Sequence, residues 1–301
     1  MKSAAAFAVF VLWLGLTHSV LAQSVSTIAV GNRPSGIVFD RTYIHVANDD
    51  DGTVSRISPK TGKVTLTYSS NGHCADIFFD GSYIWTANYR DGTVSKLTTA
   101  GVLKGTYSVG GSPIRLTYDG TNIWATLPDA GRVVKISRST GAILGDYAAG
   151  STPFGVISDG TYVWVVNGPY GGSGGLTKLS KTGAVLATLD ISGVTSREIT
   201  TDGTFLYVTN YSSGTISKVR KATGALEGSF SADVGVHDIF YEAHQLWVAS
   251  QEQRTILRFN SVDGALLETV PFAEGVVPAA ISFDGVRVWS TNLNTASVSA
   301  F

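Results

Sequence analysis

The sequence predicts an all-β fold: a seven-bladed β-propeller of four-stranded antiparallel blades. A motif of the form Asp-Gly-x-x-aliphatic-aromatic-x-x-Asn recurs at Asp80 to Asn88, Asp159 to Asn167, Asp202 to Asn210 and Asp284 to Asn292. Its repeat is close to forty residues, the length of one four-stranded blade. Weaker copies fill the gaps, so the Asp position is occupied by Asp40, Asp80, Asp119, Asp159, Asp202, Glu242 and Asp284, with successive spacings of 40, 39, 40, 43, 40 and 42. Turn-forming Asp-Gly and Thr-Gly pairs separate short apolar-alternating segments, as hairpins of adjacent strands require.

Taken in chain order, the first element is a leader. Lys2, the uncharged run Ala4 to Leu16, and the small residues around Ala22 read as a secretory signal, residues 1–22, cleaved after Ala22. The run is shorter than the roughly 20 residues a membrane span needs. Residues 23–301 then form one propeller domain. The segment "SVSTIAVG" (Ser24 to Gly31) matches a fourth-strand slot, and the last copy stops after its third strand at "ASVSAF". The N-terminal strand is therefore expected to complete the last blade, leaving the ring no open seam.

Within one copy, Gly110 to Ala149, "PIRLTYDG", "TNIWATL", "AGRVVKIS" and "TGAILGDYAA" supply the four strands. Trp85, Trp124, Trp164, Trp247 and Trp289 fill one slot of the second strand, with Tyr207 and His45 in the remaining blades. A large aromatic recurring once per blade reads as packing between blades. Asn48, Asn88, Asn167, Asn210 and Asn292 end that strand, and their side chains are expected to tie down the next loop. Asn210 also heads a glycosylation sequon, but its place in the motif argues against modification. The glycine-rich stretch Gly168 to Gly175 is the most distinctive connection between second and third strands, the b–c loop of its blade.

Composition narrows the function classes. Net charge is -1 and charged residues are only 15% of the chain, so nothing marks a nucleic-acid surface. Cys74 is the one cysteine, which excludes an internal disulfide and c-type haem attachment. A redox propeller is the remotest reading on those grounds. No glycine-flanked serine nucleophile and no phosphate loop is present.

The run Tyr207-Val208-Thr209-Asn210 followed by "SSGTISKV", with "IHVANDDDGTVSRI" and "IWTANYRDGTVSKL" as variants, resembles the repeat of the YVTN β-propeller family. The likeness covers nearly all of residues 23–301 and implies a secreted or surface-layer protein more than a defined enzyme. Pro34-Ser35-Gly36-Ile37 and Pro153-Phe154-Gly155-Val156 are similar to the repeat of the streptogramin B (virginiamycin B) lyases. That resemblance implies a magnesium-bound substrate and a histidine base. The chain departs from it by carrying asparagine or another residue where those enzymes carry glutamate, and it shows no matching catalytic motif.

First strands line a propeller's channel, so the residues at their start are the candidate site. Four positions before the Asp slot the blades carry Gly36, Asp76, Arg115, Gly155, Glu198, Asp238 and Ala280; the preceding residues include Phe154, Arg197 and His237, with His73 nearby. Asp76, Glu198 and Asp238 are candidate ligands for Mg²⁺ or Ca²⁺, with Glu198 and Asp238 foremost. His237 and His73 are candidate bases, and Arg115 and Arg197 candidate anion holders. The competing expectation is mutual pairing, Arg115 with Asp76 and Arg197 with Asp238 or its own neighbour. Asp49-Asp50-Asp51-Gly52 reads as a solvated turn, and Cys74 as a buried thiol facing away from His73. The leading reading is a monomeric secreted module that binds a protein, glycan or small molecule through the channel mouth and b–c loops. The alternative is a metal-assisted lyase or hydrolase using His237, Arg197, Glu198 and Asp238.

Overall fold

The computed structural model describes residues 25–301; the expected leader, 1–22, lies outside them. Seven four-stranded antiparallel sheets are present, and no α-helix occurs among the described residues. No helix there is long and apolar enough to cross a membrane. The first strands are Pro34–Phe39, Cys74–Phe79, Arg115–Tyr118, Pro153–Ser158, Ser196–Thr201, Val236–Glu242 and Pro278–Phe283, in blades 1 to 7. Each lies against the next, and Pro278–Phe283 returns against Pro34–Phe39, which closes the ring. The seventh sheet takes its outer strand from the start of the chain. Ser26–Ala29 pairs antiparallel with Ser297–Ala300, Ser26 opposite Ala300 and Ala29 opposite Ser297.

The repeated aspartate does two jobs at once. In blade 3, Asp119 Oδ1 accepts the backbone N–H groups of Thr121 and Asn122 at 2.8 and 2.7 Å, which shapes the hairpin. Its Oδ2 accepts the indole N–H of Trp124 at 2.7 Å. The same carboxylate-to-indole bond joins Asp80 to Trp85, Asp159 to Trp164 and Asp284 to Trp289. Tyr207 uses its hydroxyl on Asp202 and His45 its Nε2 on Asp40. The bond allows a polar-tipped ring to be fully buried, because a buried donor must be satisfied. Trp85, Trp124, Trp289, Tyr207 and His45 are all 0% exposed.

In most blades a cation then covers the ring. The third-strand residue opposite the aromatic stacks on it: Lys96 on Trp85, Lys135 on Trp124 and Lys218 on Tyr207, at 5.3 to 5.7 Å from the ring centre. The ammonium tips continue into the next blade, Lys96 Nζ to the Arg138 carbonyl and Lys135 Nζ to the Lys181 carbonyl, both at 2.6 Å. Arg138 in turn donates to Asp80 at 2.7 Å. Neighbouring blades are thus cross-tied through the turn aspartate. Burial raises the Asp80 carboxyl, but the Arg138, Trp85 and backbone hydrogen bonds outweigh it and hold the group below its ordinary value.

The recurrent asparagines tie down the loop as expected, and their partners are the motif's own Thr and Ser. Asn88 Nδ2 donates to Thr93 and Ser95 at 3.1 and 2.8 Å, and Asn210 to Thr215 and Ser217 at 3.0 and 2.8 Å. Asn210 is 0% exposed, so its sequon is closed in the folded protein. The distinctive glycine-rich connection is shorter than the sequence suggests, since Gly175 already pairs with Asn167 and the third strand begins at Ser173.

Blade 6 departs from the pattern. Glu242 is exposed, Trp247 is partly open to solvent, and Ala243 and His244 make the turn with φ of 47° and 63°, the conformation of a tight two-residue hairpin. Asp119→Ala is expected to lower stability by about 2–4 kcal/mol, since it strands an indole and two amide donors. Glu242→Ala is expected to stay within about 0.5 kcal/mol. Urea unfolding of both variants checks the contrast. Deleting residues 24–30 removes the closing strand and is expected to lower the melting temperature of the entire ring; an unchanged midpoint would refute the closure.

Candidate functional site: the channel mouth

The residue after the asparagine slot, which Ser250 fills in blade 6, is held at the mouth of the channel. Its backbone N–H donates to the loop entering the same blade's first strand: Tyr89 to the His73 carbonyl at 2.9 Å, Tyr211 to Thr195 at 3.0 Å, and Gln251 and Leu293 to Gly235 and Val277 at 2.9 Å. Tyr89, Gln251 and Leu293 join Arg115, Phe154 and His237 around a cavity of about 370 Å³. The first-strand candidates Arg115, Phe154 and His237 therefore do converge. Tyr89, Gln251 and Leu293 escaped the sequence reading, although each occupies the position directly after the motif's asparagine slot.

Phe154, one of the residues that line the cavity, gathers the neighbouring side chains around its ring. The Arg197 guanidinium carbon lies 4.5 Å from its ring centre, that of Arg115 5.2 Å, and the His237 ring meets it edge-on at 6.1 Å. Arg197 also lies 5.7 Å from the Tyr211 ring. Arg115 Nε donates to Glu198 Oε1, and its Nη1 donates to the Ile114 carbonyl at 2.9 Å.

Neither expected ion pair forms. Asp76 Oδ2 accepts the Leu116 N–H at 3.0 Å, and Asp238 Oδ2 the Ile281 N–H at 2.7 Å. Their short side chains reach backbone amides, including one in the neighbouring blade, whereas the longer Glu198 reaches across to Arg115. Arg197 makes no ion pair among the described residues, and both its Nε and His237 Nδ1 are buried without a hydrogen-bond partner.

Other candidates are placed elsewhere. His73 is 40% exposed and lies against Asp91 at 3.3 Å, outside the cavity wall. Cys74 is fully buried with its thiol on the Asp76 carbonyl, and burial pushes the thiol well above its ordinary value, so it is no nucleophile. The aspartate run is a turn, with Asp51 on Asn32 and Asp50 on Arg90. Among the described residues no group of three or more His, Cys, Asp or Glu side chains is arranged to hold a metal ion. Glu198 is engaged by Arg115 and Asp238 by two backbone amides. The donor set expected for Mg²⁺ or Ca²⁺ does not fit that role.

Burial and mutual repulsion govern the charges. Burial pushes Glu198 up to about 8 and Asp238 up to about 6, with Arg115 pulling each back, and Asp76 is raised for the same reason. Arg115 is held firmly charged: burial opposes its charge, but Glu198, Asp76 and Asp238 together outweigh it. One guanidinium thus faces three carboxyls, which titrate as a set that retains a proton near neutral pH. Burial, then Arg115 and Arg197, depress His237 to about 3. The imidazole is neutral at physiological pH, a weak base but a competent hydrogen-bonding group.

These shifts act on stability with opposite signs. His237 favours folding above its unfolded value of about 6.5, and that gain is lost as pH falls toward 3. Glu198, whose folded value is raised, favours folding at low pH and loses that contribution as pH climbs from its ordinary 4.5 to about 8. Of the two, only Glu198 is still titrating above pH 6.5. The melting temperature is expected to fall between pH 6.5 and 8, and Glu198→Gln to flatten that slope, as read by calorimetry.

No family model matches the chain, and no curated protein matches it. Solved structures do. The virginiamycin B lyase of Staphylococcus aureus superposes with a TM-score of 0.79 at 18% identity, covering 92% of this chain and 98% of that one. A catalytically inactive histidine-to-alanine form of that lyase, with quinupristin, matches equally. A streptogramin B lyase gives 0.78 at 15% identity over 92% and 96% of the two chains. Kuenenia stuttgartiensis hydrazine synthase gives 0.77 at 13% identity over 91% and 96%. At these identities the likeness is one of fold: this chain is a seven-bladed propeller of the kind those lyases adopt.

Proposed function

We propose that this protein is an exported binding module that takes a small ligand in the channel-mouth cavity. The observation that carries the reading is the cavity of about 370 Å³ at the channel mouth, where Tyr89, Phe154, His237 and Leu293 from four different blades converge. A concave site with apolar and aromatic walls and a few convergent polar groups is the usual form of a small-ligand pocket. Rigid blades around the cavity support the reading too, because preorganised walls reduce the ordering cost of binding. Export rests on residues 1–22, and the first residue of the protein recovered from its native host tests that part.

A lyase acting on a cyclic ester is the second reading. It is favoured by the fold shared with the lyases and by a histidine at the cavity. Against it stands the depressed basicity of His237, since a base works best with a value near the working pH.

Thermal-shift screening of residues 23–301 against a small-molecule panel that includes quinupristin separates these readings. Hits at the mouth should vanish in Ala75→Trp, which fills the cavity from its wall. A ligand present at a hundredfold excess over its Kd adds about 2.7 kcal/mol of stability. A panel without a single Ala75→Trp-sensitive hit would overturn the binding reading. Chromatographic conversion of quinupristin, with Mg²⁺ present, would move the assignment to the lyase.

A further inference from the structure

We propose that the face opposite the channel mouth docks on an anionic lipid bilayer, through a rim of exposed aliphatic side chains set among lysines and arginines. This docking does not depend on the ligand of the mouth cavity.

Chain direction decides which residues share that face. Each first strand starts at the mouth, so its turn into the second strand lies at the opposite end of the ring. The turn from third to fourth strand lies there too. Contacts between blades show the shared level. Lys181, in a third-to-fourth turn, donates to the Asp119 carbonyl of a first-to-second turn at 2.6 Å, and Lys221 approaches Asp159 at 3.7 Å. Exposed large apolar side chains gather at this end. Among the described residues only Tyr89, Tyr170 and Val234 of that class stand at the mouth.

The repeat builds the rim. The fourth strands Ile143–Ala148, Val185–Val194 and Leu266–Pro271 open on the pairs Ile143-Leu144, Val185-Leu186 and Leu266-Leu267, each residue 43 to 55% exposed. A β-bulge sets their position. Lys135 pairs with Gly145 and Ile136 with Ile143, which leaves Leu144 as the extra residue. Leu186 and Leu267 are the extra residues of their blades. The same slot holds Thr65, Lys104 and Glu227 in blades 1, 2 and 5, so the fold itself does not require leucine there. The adjoining turns are tucked in, with Gly141 and Gly183 buried against Tyr107 and Tyr147 of the preceding blade. The leucines that follow therefore stand at the edge. Val262 and Val286, 68 and 83% exposed, sit on turns of the same face.

Charge complementarity selects the partner. Arg41, Lys60, Lys63 and Lys104 are exposed at this end, and Arg138, Lys181 and Lys221 partly so. Among the described residues, the exposed acids there without a cation partner are Glu242 and Asp263, both in blade 6. The mouth has the opposite balance, with Asp50, Asp51, Asp91, Asp129, Glu252 and Glu274 exposed against Arg33, Arg90 and Arg254. Apolar pairs set one to a blade do not form the contiguous apolar core on which protein interfaces are built. A bilayer meets all of them at once, taking aliphatic side chains at its headgroup boundary while anionic headgroups face the lysines. Docked in this way, the protein presents its mouth to solution.

Flotation of residues 23–301 with vesicles of equal parts phosphatidylglycerol and phosphatidylcholine, and with phosphatidylcholine alone, tests the docking. Binding to the anionic vesicles is expected to be at least about tenfold tighter and to weaken as salt rises. The triple variant Leu144→Ser, Leu186→Ser and Leu267→Ser should weaken it about 10- to 100-fold. Lys60→Gln with Lys63→Gln should weaken it about tenfold or more, since two cations leave the anionic surface. All five residues are exposed, so both variants should keep the parent's melting temperature. Ala75→Trp, which alters the mouth, should float like the parent. Absence of flotation with anionic vesicles, or equal flotation with the two vesicle types, would overturn the proposal. So would a folded leucine variant that floats like the parent; should that variant fail to fold, parent-like flotation of the lysine variant decides in the same sense. Self-association of the parent in ultracentrifugation, lost in the leucine variant and without flotation, would give the rim to a second copy and overturn the lipid partner.

Discussion

The hydrogen bond between a turn aspartate and the aromatic ring five residues later underlies the architecture. It lets an indole sit at zero exposure without an unsatisfied donor, as in Asp119 with Trp124. The buried ring supplies the flat surface on which the third-strand lysine lies, and that lysine reaches the next blade's turn. Remove the carboxylate and the hairpin, the ring and the junction lose a partner together. Blade 6, with glutamate in the aspartate's place, marks the contrast: its tryptophan is partly exposed and its turn adopts a different conformation.

Much of this was legible in the sequence because a repeat displays each role several times. Blade number, strand order, closure by Ser26–Ala29 and the loop-tying asparagines all derive from residues that recur in register. The bond between the aspartate and the aromatic was not legible. Each residue has a sufficient local explanation alone, one as a turn former and the other as packing. Only the structure shows that Oδ1 serves the backbone and Oδ2 the ring.

The site was legible in position and illegible in pairing. First-strand entry residues do line the mouth, and Arg115, Phe154 and His237 meet there. Which carboxylate meets which arginine depends on distances across the channel and on register shifts near the start of the first strands, as between Ser196 and Ile199 or Val236 and Ile239. Such bulges break the alternation by which a strand's faces are read from sequence. His73 was misplaced because it precedes its strand, where a neighbouring aspartate captures it.

Closure by the N-terminal strand has a consequence for the order of assembly. Ser26 and Ala300 are 274 residues apart, yet they meet in one ladder. During synthesis the blades between them can form from contacts made within about forty residues, but this seam waits until nearly all the described chain has left the ribosome. Long-range pairing of this kind is slow. Until it forms, the early strand and the far edge of the seventh blade are unpaired β surfaces, the kind that join to other chains. A nascent copy is therefore most exposed to misassembly when six blades are complete and the seventh still lacks Ser26–Ala29.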